Sequence, residues 1–428
     1  MDKTGDLYQS YLSILHDELV PAMGCTEPIS IAYGAAKARE VLGELPIQSN
    51  IEVSGNIIKN VKSVTVPNTN GLKGIEASLA AGVVAGKAAA KLEVLSQVTA
   101  AEKTAIADYL SSYPIEVTLA GNEKIFYISI LLHGCHSKVR LVIEDYHTNI
   151  TLIEKDGEVV YQSQSNGNNP YDRNDRTLLN VQDIVEFSSI VDISAVEGII
   201  LWQIALNTTI SQEGLTGDWG ASIGKVLLKE YGGHITNLAK AAAAAGSDAR
   251  MNGCELPVVI VSGSGNQGMT ASLPVIEYAK ELRSSDEELI RALVVSNLVT
   301  IHQKTGIGRL SAFCGVVSAG CGAGAGIAFL HGGDYESIAH TIVNSLAMIS
   351  GMVCDGAKSS CAAKIAEAVD AGILGFKMSK NGKQFVDGDG LVSKDVDNTI
   401  SNIGRMASVG MKETDKEILK IMVGGLSS

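Results

Sequence analysis

Proline is scarce in this chain, with 8 in 428 residues, and aromatic residues make up only 5%. Both shortages argue against a turn-dense β sandwich, which spends proline on its turns and aromatics on its core. Positive charge is also short. The chain carries 34 Lys and Arg against 47 Asp and Glu, a net charge of −13, and has no basic run of five or more. Such a surface repels nucleic acid and anionic membranes, so neither is expected as a partner. The opening residues, MDKTGDLYQSYLSILHDELV, alternate charged and apolar positions in the manner of a surface helix and not of a signal peptide. Cysteine is sparse and odd in number, at seven, which fits a reducing cytoplasm with thiols available for chemistry or metal.

What is abundant is small and apolar. Glycine reaches 45 and hydrophobic residues 46%, enough to exclude wholesale disorder and to fill a large core whose helices approach closely. From Leu310 to Leu330 no charged residue occurs. The length would suffice for a membrane span, but LSAFCGVVSAGCGAGAGIAFL holds five glycines and two cysteines, and a buried, tightly packed helix is the reading we adopt.

The length predicts two domains, or one with an inserted unit. Apolar spacing predicts a helix over Leu7–Leu19, a break at Pro21–Gly24, and a second helix capped by Thr26 that runs to Leu42. Ile51–Val66 reads as strand, PNTNGLKG as a loop, and Ile75–Leu95 as an alanine-rich helix. After Pro114, IEVTLA, KIFYISILL, KVRLVIED, NITLIEK and EVVYQ read as five short strands. The polar stretch QSNGNNPYDRNDR reads as a linker, and from Val181 the pattern is helical almost to the end. Ser285-Asp286-Glu287-Glu288 predicts a capping box opening a helix to Gln303, and Asp334 a cap for the next helix through Ile349. The expected class is α+β: a mixed segment over 1–113, a β-rich unit over 114–165, and a mainly helical catalytic domain over 181–428. Strands and helices do not alternate regularly, which disfavours a doubly wound sheet.

Four cysteines fall between 314 and 361, as two pairs seven apart: Cys314 with Cys321, and Cys354 with Cys361. One reading is metal or iron–sulfur ligation by soft thiolates. The other is four small buried residues two helical turns apart. A straight helix would separate each pair by roughly 10 Å, too far for one cubane. CDGAKSSC, however, contains a break: Gly356 can end one helix and Ser359 or Ser360 can cap the next, leaving Cys354 at a helix end and Cys361 in a first turn. Cys25 sits in GCTEP, again at a helix start, where the dipole should lower its thiol pKa. Cys135, between His133 and His136, reads as structural because alternation along a strand points neighbours apart, and Cys254 reads as structural too. The loop Gly263-Ser264-Gly265-Asn266-Gln267-Gly268 follows an apolar strand and presents N–H groups suited to a carboxylate, although a plain strand-to-helix turn explains it equally well. Asn68-Thr69-Asn70-Gly71 and the pair His302 and Lys304 are further candidate ligand contacts.

Taken together, GCTEPIS, PNTNGLKG, SGSGNQG, HQKTGIGRLSAFCG and MVCDGAKSSCAAK resemble the L-cysteine desulfidase family, also known as UPF0597 proteins, which is similar to the α domain of iron–sulfur L-serine dehydratases. The resemblance spans Cys25 to about Lys364. It implies an oxygen-sensitive [4Fe–4S] cluster held by Cys314, Cys354 and Cys361, with one iron open and Cys321 outside the ligand set. It also implies α,β-elimination of L-cysteine to hydrogen sulfide, pyruvate and ammonia, with Cys25 as the base. Thr26, Glu27, Asn68–Gly71, Ser264–Gly268, His302 and Lys304 would contact a small amino-acid substrate. A homodimer is the assembly allowed for. The alternatives are an iron–sulfur L-serine or L-threonine dehydratase and, in another class, an iron–sulfur redox sensor or amino-acid-binding protein. No lysine stands in a defensible pyridoxal-phosphate context.

Overall fold

A computed structural model describes residues 1–163 and 175–424 of the chain. The linker expected over 164–176 lies almost entirely outside the described residues.

The fold is α+β and mainly helical, with two cores. The smaller is built on a six-stranded sheet in the order Ile115–Leu119, Gln48–Val53, Tyr127–His133, Lys138–Glu144, Ile150–Lys155 and Glu158–Gln162. Only the first pair is parallel. The five strands expected after Pro114 are therefore present, and their register pairs core residues: Ile128, Ile130 and Leu132 lie opposite Ile143, Leu141 and Val139. The helices Thr26–Leu42 and Gly74–Ala85 bury their apolar residues in this same core. The strands after Pro114 thus share a sheet and a core with the preceding residues, and position 113 marks no break between cores.

The larger core gathers the helices from Val181 onward, and the N-terminal helix Asp6–Glu18 joins it through Tyr8, Tyr11, Ile14 and Leu15. The Ser285 capping box and the Asp334 cap form as expected, opening helices Asp286–Ile307 and Tyr335–Ile349. The apolar stretch ending at Leu330 is a helix, Gly315–Leu330, buried over most of its length. Glycine explains how near it comes to Cys361–Lys380: a Cβ on Gly320 would lie 2.3 Å from the carbonyl oxygen of Ala368. That close crossing fixes the Cys314 end of one helix relative to the Cys361 end of the other. Among the described residues, one helix, Ile193–Thr216, is long and apolar enough to cross a membrane by length and composition.

Three local expectations are corrected. The break at Pro21–Gly24 is a strand, Val20–Met23, paired antiparallel with Pro257–Ile260. Local pattern could not reveal it, because its partner lies far along the chain. Ile51–Val66 is strand only to Val53 and then forms the helix Gly55–Val61. The alanine-rich helix ends at Ala85 and is followed by a 3-10 turn, Ala88–Glu93, because Gly86 leaves the helical conformation.

Candidate active site

The short Val20–Met23 strand determines where Cys25 goes. Its pairing with Pro257–Ile260 sets two strand ends side by side, and both chains then turn into helices. Cys25, and not Thr26, is the N-cap residue of Thr26–Leu42. The Thr26 hydroxyl instead donates to the Gly263 carbonyl at 2.8 Å, tying the Cys25 turn to the glycine-rich loop. That loop holds Ser262 and Gly263 at φ 48° and 80°, a left-handed turn that costs free energy at the serine, and then enters Gly265–Leu282 with Ser264 as N-cap.

A second pairing assembles the cysteines. Phe313 and Val353 form an isolated antiparallel bridge; the Cys314 amide donates to Met352, and the Cys354 amide to Ala312. Cys314 and Cys354 are thereby neighbours and share a thiol hydrogen bond. Cys314 is the N-cap of Gly315–Leu330, and Cys361 is the first residue of Cys361–Lys380. Cys361 reaches the site as expected. Cys354, placed by sequence at a helix end, lies in an extended segment beyond Ile349, because its amide is taken by the Ala312 bridge. Ser360 holds the N-cap position of the last helix without a side-chain bond.

Cys25, Cys314, Cys354 and Cys361 line one cavity of about 90 Å³. Four helix N-termini, those of the helices beginning at Thr26, Gly265, Gly315 and Cys361, meet around it. Their dipoles and unpaired N–H groups make the space favourable to negative charge.

The thiols respond differently. Burial and then the Glu27 carboxylate push the Cys25 thiol well above its ordinary value, with Arg250 only partly offsetting them. The dipole argument predicted the reverse; it is overridden because the thiol is 3% exposed and donates to the Glu27 carboxylate at 3.1 Å. Cys354 is the thiol that carries charge. The hydrogen bond from Cys314 holds it down to about 6 against burial, with Lys59 and Lys364 contributing. The same hydrogen bond, with burial, pushes Cys314 up, and burial raises Cys361.

Glu27 is buried yet ionised. Burial would raise its pKa, but His147 and the Cys25 thiol outweigh that and hold it at about 2. Oε1 also accepts from Asn60 at 3.0 Å, and His147 Nε2 stands 4.0 Å away. The sign of the linkage follows: a carboxyl at about 2 in the fold and near 4.5 unfolded contributes stability above pH 4.5, which is lost as pH falls toward 2. Glu27→Gln is expected to remove about 3 kcal/mol of that acid dependence, measured by urea unfolding across pH 2–6. An unchanged acid limb would show that Glu27 is not held ionised.

Of the residues expected to contact substrate, Thr26, Glu27, Ser264, Asn266, Gln267 and Lys304 line the cavity. Gly265 and Gly268 are buried packing positions: a Cβ would lie 2.4 Å from Arg250 Nε in the first case and 2.0 Å from the Val259 carbonyl in the second. Asn68–Gly71 does not reach the cavity. Asn68 donates to the Leu95 carbonyl, Thr69 to that of Val66, and Asn70 and Gly71 form an exposed left-handed turn. His302 points away and meets Asp397 at 2.7 Å. Both miss the site because their backbone hydrogen bonds and helix phase direct them elsewhere. Cys321, two turns along its helix, contacts the Ile342 carbonyl and does not line the cavity. Cys135 is exposed and Cys254 buried, both outside the site.

The sequence reading did not single out Asn60, His147, Arg250 or Arg309, all of which line the cavity. Arg250 carried a signal: it is the one arginine in an otherwise small-residue helix, Ile235–Met251. The hairpin position of His147 carried none. Four buried atoms on the lining, Asn60 Oδ1, His147 Nε2, Arg250 Nε and Gln267 Oε1, have no hydrogen-bond partner among the described residues. Polar atoms orphaned around one space are the mark of a site that receives a ligand. No three His, Cys, Asp or Glu among the described residues are grouped as ligands of a single ion. Thiolates that each hold a different iron of a cluster need not meet at one point.

The model of the serine dehydratase alpha chain matches residues 89–420, a span that includes Arg250 and the Cys314, Cys354 and Cys361 positions but not Cys25. A UPF0597 protein of Desulfitobacterium hafniense is 60% identical over the whole of both chains. One from Lachnoclostridium phytofermentans is 50% identical, covering 97% of this chain and all of that relative. One from Fusobacterium nucleatum is 44% identical over 97% of this chain and 98% of the relative. With matches of this extent, the chain belongs to the UPF0597 family and shares the fold of the serine dehydratase alpha chain, a family of lyases.

Proposed function

We propose that the protein catalyses [4Fe–4S]-dependent α,β-elimination of L-cysteine, with water consumed and hydrogen sulfide, pyruvate and ammonia released. The observation that carries the reading is that Cys25 opens into the same cavity as Cys314, Cys354 and Cys361. The donor set fits the cluster: three soft ligands lining one cavity, one already held as thiolate, beside orphaned polar atoms and four helix N-termini. Cys314, Cys354 and Cys361 would hold it. When bound, it would supply a Lewis-acidic iron free of protein ligands toward the carboxylate or the departing sulfur.

The remaining chemistry belongs to the chain. Ser264, Asn266, Gln267 and the helix N-terminus behind them hold anionic and amino groups of the substrate in one orientation. Cys25 takes the α-proton as general base. The thiol donates to Glu27 at 3.1 Å, which orients the sulfur; before it can act as base its own proton must pass to solvent, because a carboxylate held at about 2 is too weak to take it. Asn60 and His147 keep Glu27 in place. The eliminated aminoacrylate hydrolyses in water to pyruvate and ammonia. Thiol and cluster chemistry of this kind suits a reducing cytoplasm.

A second reading, an L-serine or L-threonine dehydratase, is favoured by the family match itself. Anaerobic reconstitution followed by assays of sulfide and pyruvate from L-cysteine, against pyruvate from L-serine and 2-oxobutanoate from L-threonine, separates the two. Faster release from L-cysteine is expected; faster turnover of either hydroxy amino acid would replace the substrate assignment.

A further inference from the structure

Beside the cysteine-lined cavity lies an outer chamber of about 340 Å³, and the two share Ser262, Lys304, Arg309 and Leu310 on their common wall. Arg309 also lines the small recess between them. The guanidinium thus stands on the boundary between the chamber and the thiol-lined cavity.

Arg309 is held in a way that leaves it available. Nη2 donates to Glu18 Oε1 at 3.2 Å, and the guanidinium carbon lies 4.4 Å from the centre of the Tyr146 ring. That is one hydrogen bond among the described residues for a group with five N–H donors. Gly263 keeps the space at Nη1 clear, since a Cβ there would come within 2.9 Å of it. Charge points the same way. Glu18, buried, is also paired to Arg176 at 2.6 Å, so Arg309 is not its sole partner. Lys304 adds a buried ammonium on the same wall with no ion pair among the described residues, and Asp145 across the chamber faces Lys124. Arg309 and Lys304 thus stand together on the wall shared by chamber and cavity, where an incoming anion can meet both, with Asp17 and Glu18 the carboxylates beside Arg309 in the adjoining recess. The carboxylate of Glu18 shows which anion the fork accepts.

We infer that Arg309 first receives the substrate's α-carboxylate, exchanging Glu18 for it on the wall shared by chamber and cavity, and hands the amino acid on to the Ser264 loop in the cysteine-lined cavity. The inference rests on the elimination reading above, and makes Arg309 the residue that confines the site to α-carboxylates.

The test uses anaerobically reconstituted wild type, Arg309→Gln and Arg309→Lys. The probe is L-alanine, which has the carboxylate but no leaving group, with ethylamine as the carboxylate-free control, both followed by calorimetry. Wild type should bind L-alanine and not ethylamine. Arg309→Gln should weaken L-alanine binding about 10- to 100-fold and raise the KM for L-cysteine in parallel, with iron and acid-labile sulfide unchanged. Arg309→Lys keeps the charge but not the fork, so a smaller loss is expected, and it decides the matter if the glutamine variant does not fold. L-alanine binding equal to wild type in the variants, a loss confined to kcat, or ethylamine binding as well as L-alanine would overturn the assignment. If wild type turns over L-cysteine while variant binding is unaltered, only the Arg309 role fails. If wild type neither binds nor turns over any amino acid, the elimination reading fails with it.

Discussion

Cys25→Ser is expected to cut elimination about 10²- to 10⁴-fold, the range attached to losing a positioned general base, while iron and acid-labile sulfide stay at wild-type levels. The substitution is informative because so little else changes. Serine is a better N-cap residue than cysteine, so Thr26–Leu42 loses nothing. Its hydroxyl can still donate to Glu27 in place of the thiol. What disappears is the more acidic group: even with burial and Glu27 holding the Cys25 thiol well above its ordinary value, an alkoxide in its place lies far higher still in proton affinity. Pyruvate release under anaerobic conditions gives the rate, and iron and sulfide assays give the cluster. Undiminished turnover would remove Cys25 from the reaction. Loss of iron in the variant would move it among the ligands, where it would close the open position that elimination needs.

Cys354→Ala should lose nearly all iron and all turnover, whereas Cys321→Ala should keep both. The contrast follows from position. Cys354 lines the cavity as the thiol held ionised at about 6 by the Cys314 hydrogen bond, Lys59 and Lys364. A preformed thiolate is the natural first ligand, because metal binding there need not expel a proton. Cys321 is 1% exposed and pushed up to about 12 by burial, packed within the crossing of glycine-rich helices. Removing its sulfur should cost about 1 kcal/mol of packing and no metal. Iron and sulfide per chain after anaerobic reconstitution measure both variants. Full iron in Cys354→Ala, or none in folded Cys321→Ala, would break the three-cysteine assignment.

The residues that were legible and those that were not differ in one respect. The Ser285 capping box and the Asp334 cap depend on partners three residues away, and each strand after Pro114 is signalled by its own few residues. Short range is what pattern reads well. The strand at Val20–Met23 was missed because its pairing is with residues 257–260 and because Pro21 and Gly24 look like punctuation. Asn68–Gly71 has the composition of a ligand loop, but its polar groups satisfy their own turn. His302 and Lys304 are two apart on one helix, so they face different directions: Lys304 reaches the cavity and His302 reaches Asp397.

Composition and local order alone determined a mainly helical α+β chain, a net charge of −13, and Cys25 and Cys361 at helix starts. Only the folded chain decided which of those starts face one another, because that depends on two long-range strand contacts and on helices crossing at bare glycines. It also reversed the expected protonation of Cys25. A helix dipole can be read from the order of residues, but the burial and the neighbouring carboxylate that outweigh it exist only once distant segments have closed around the sulfur.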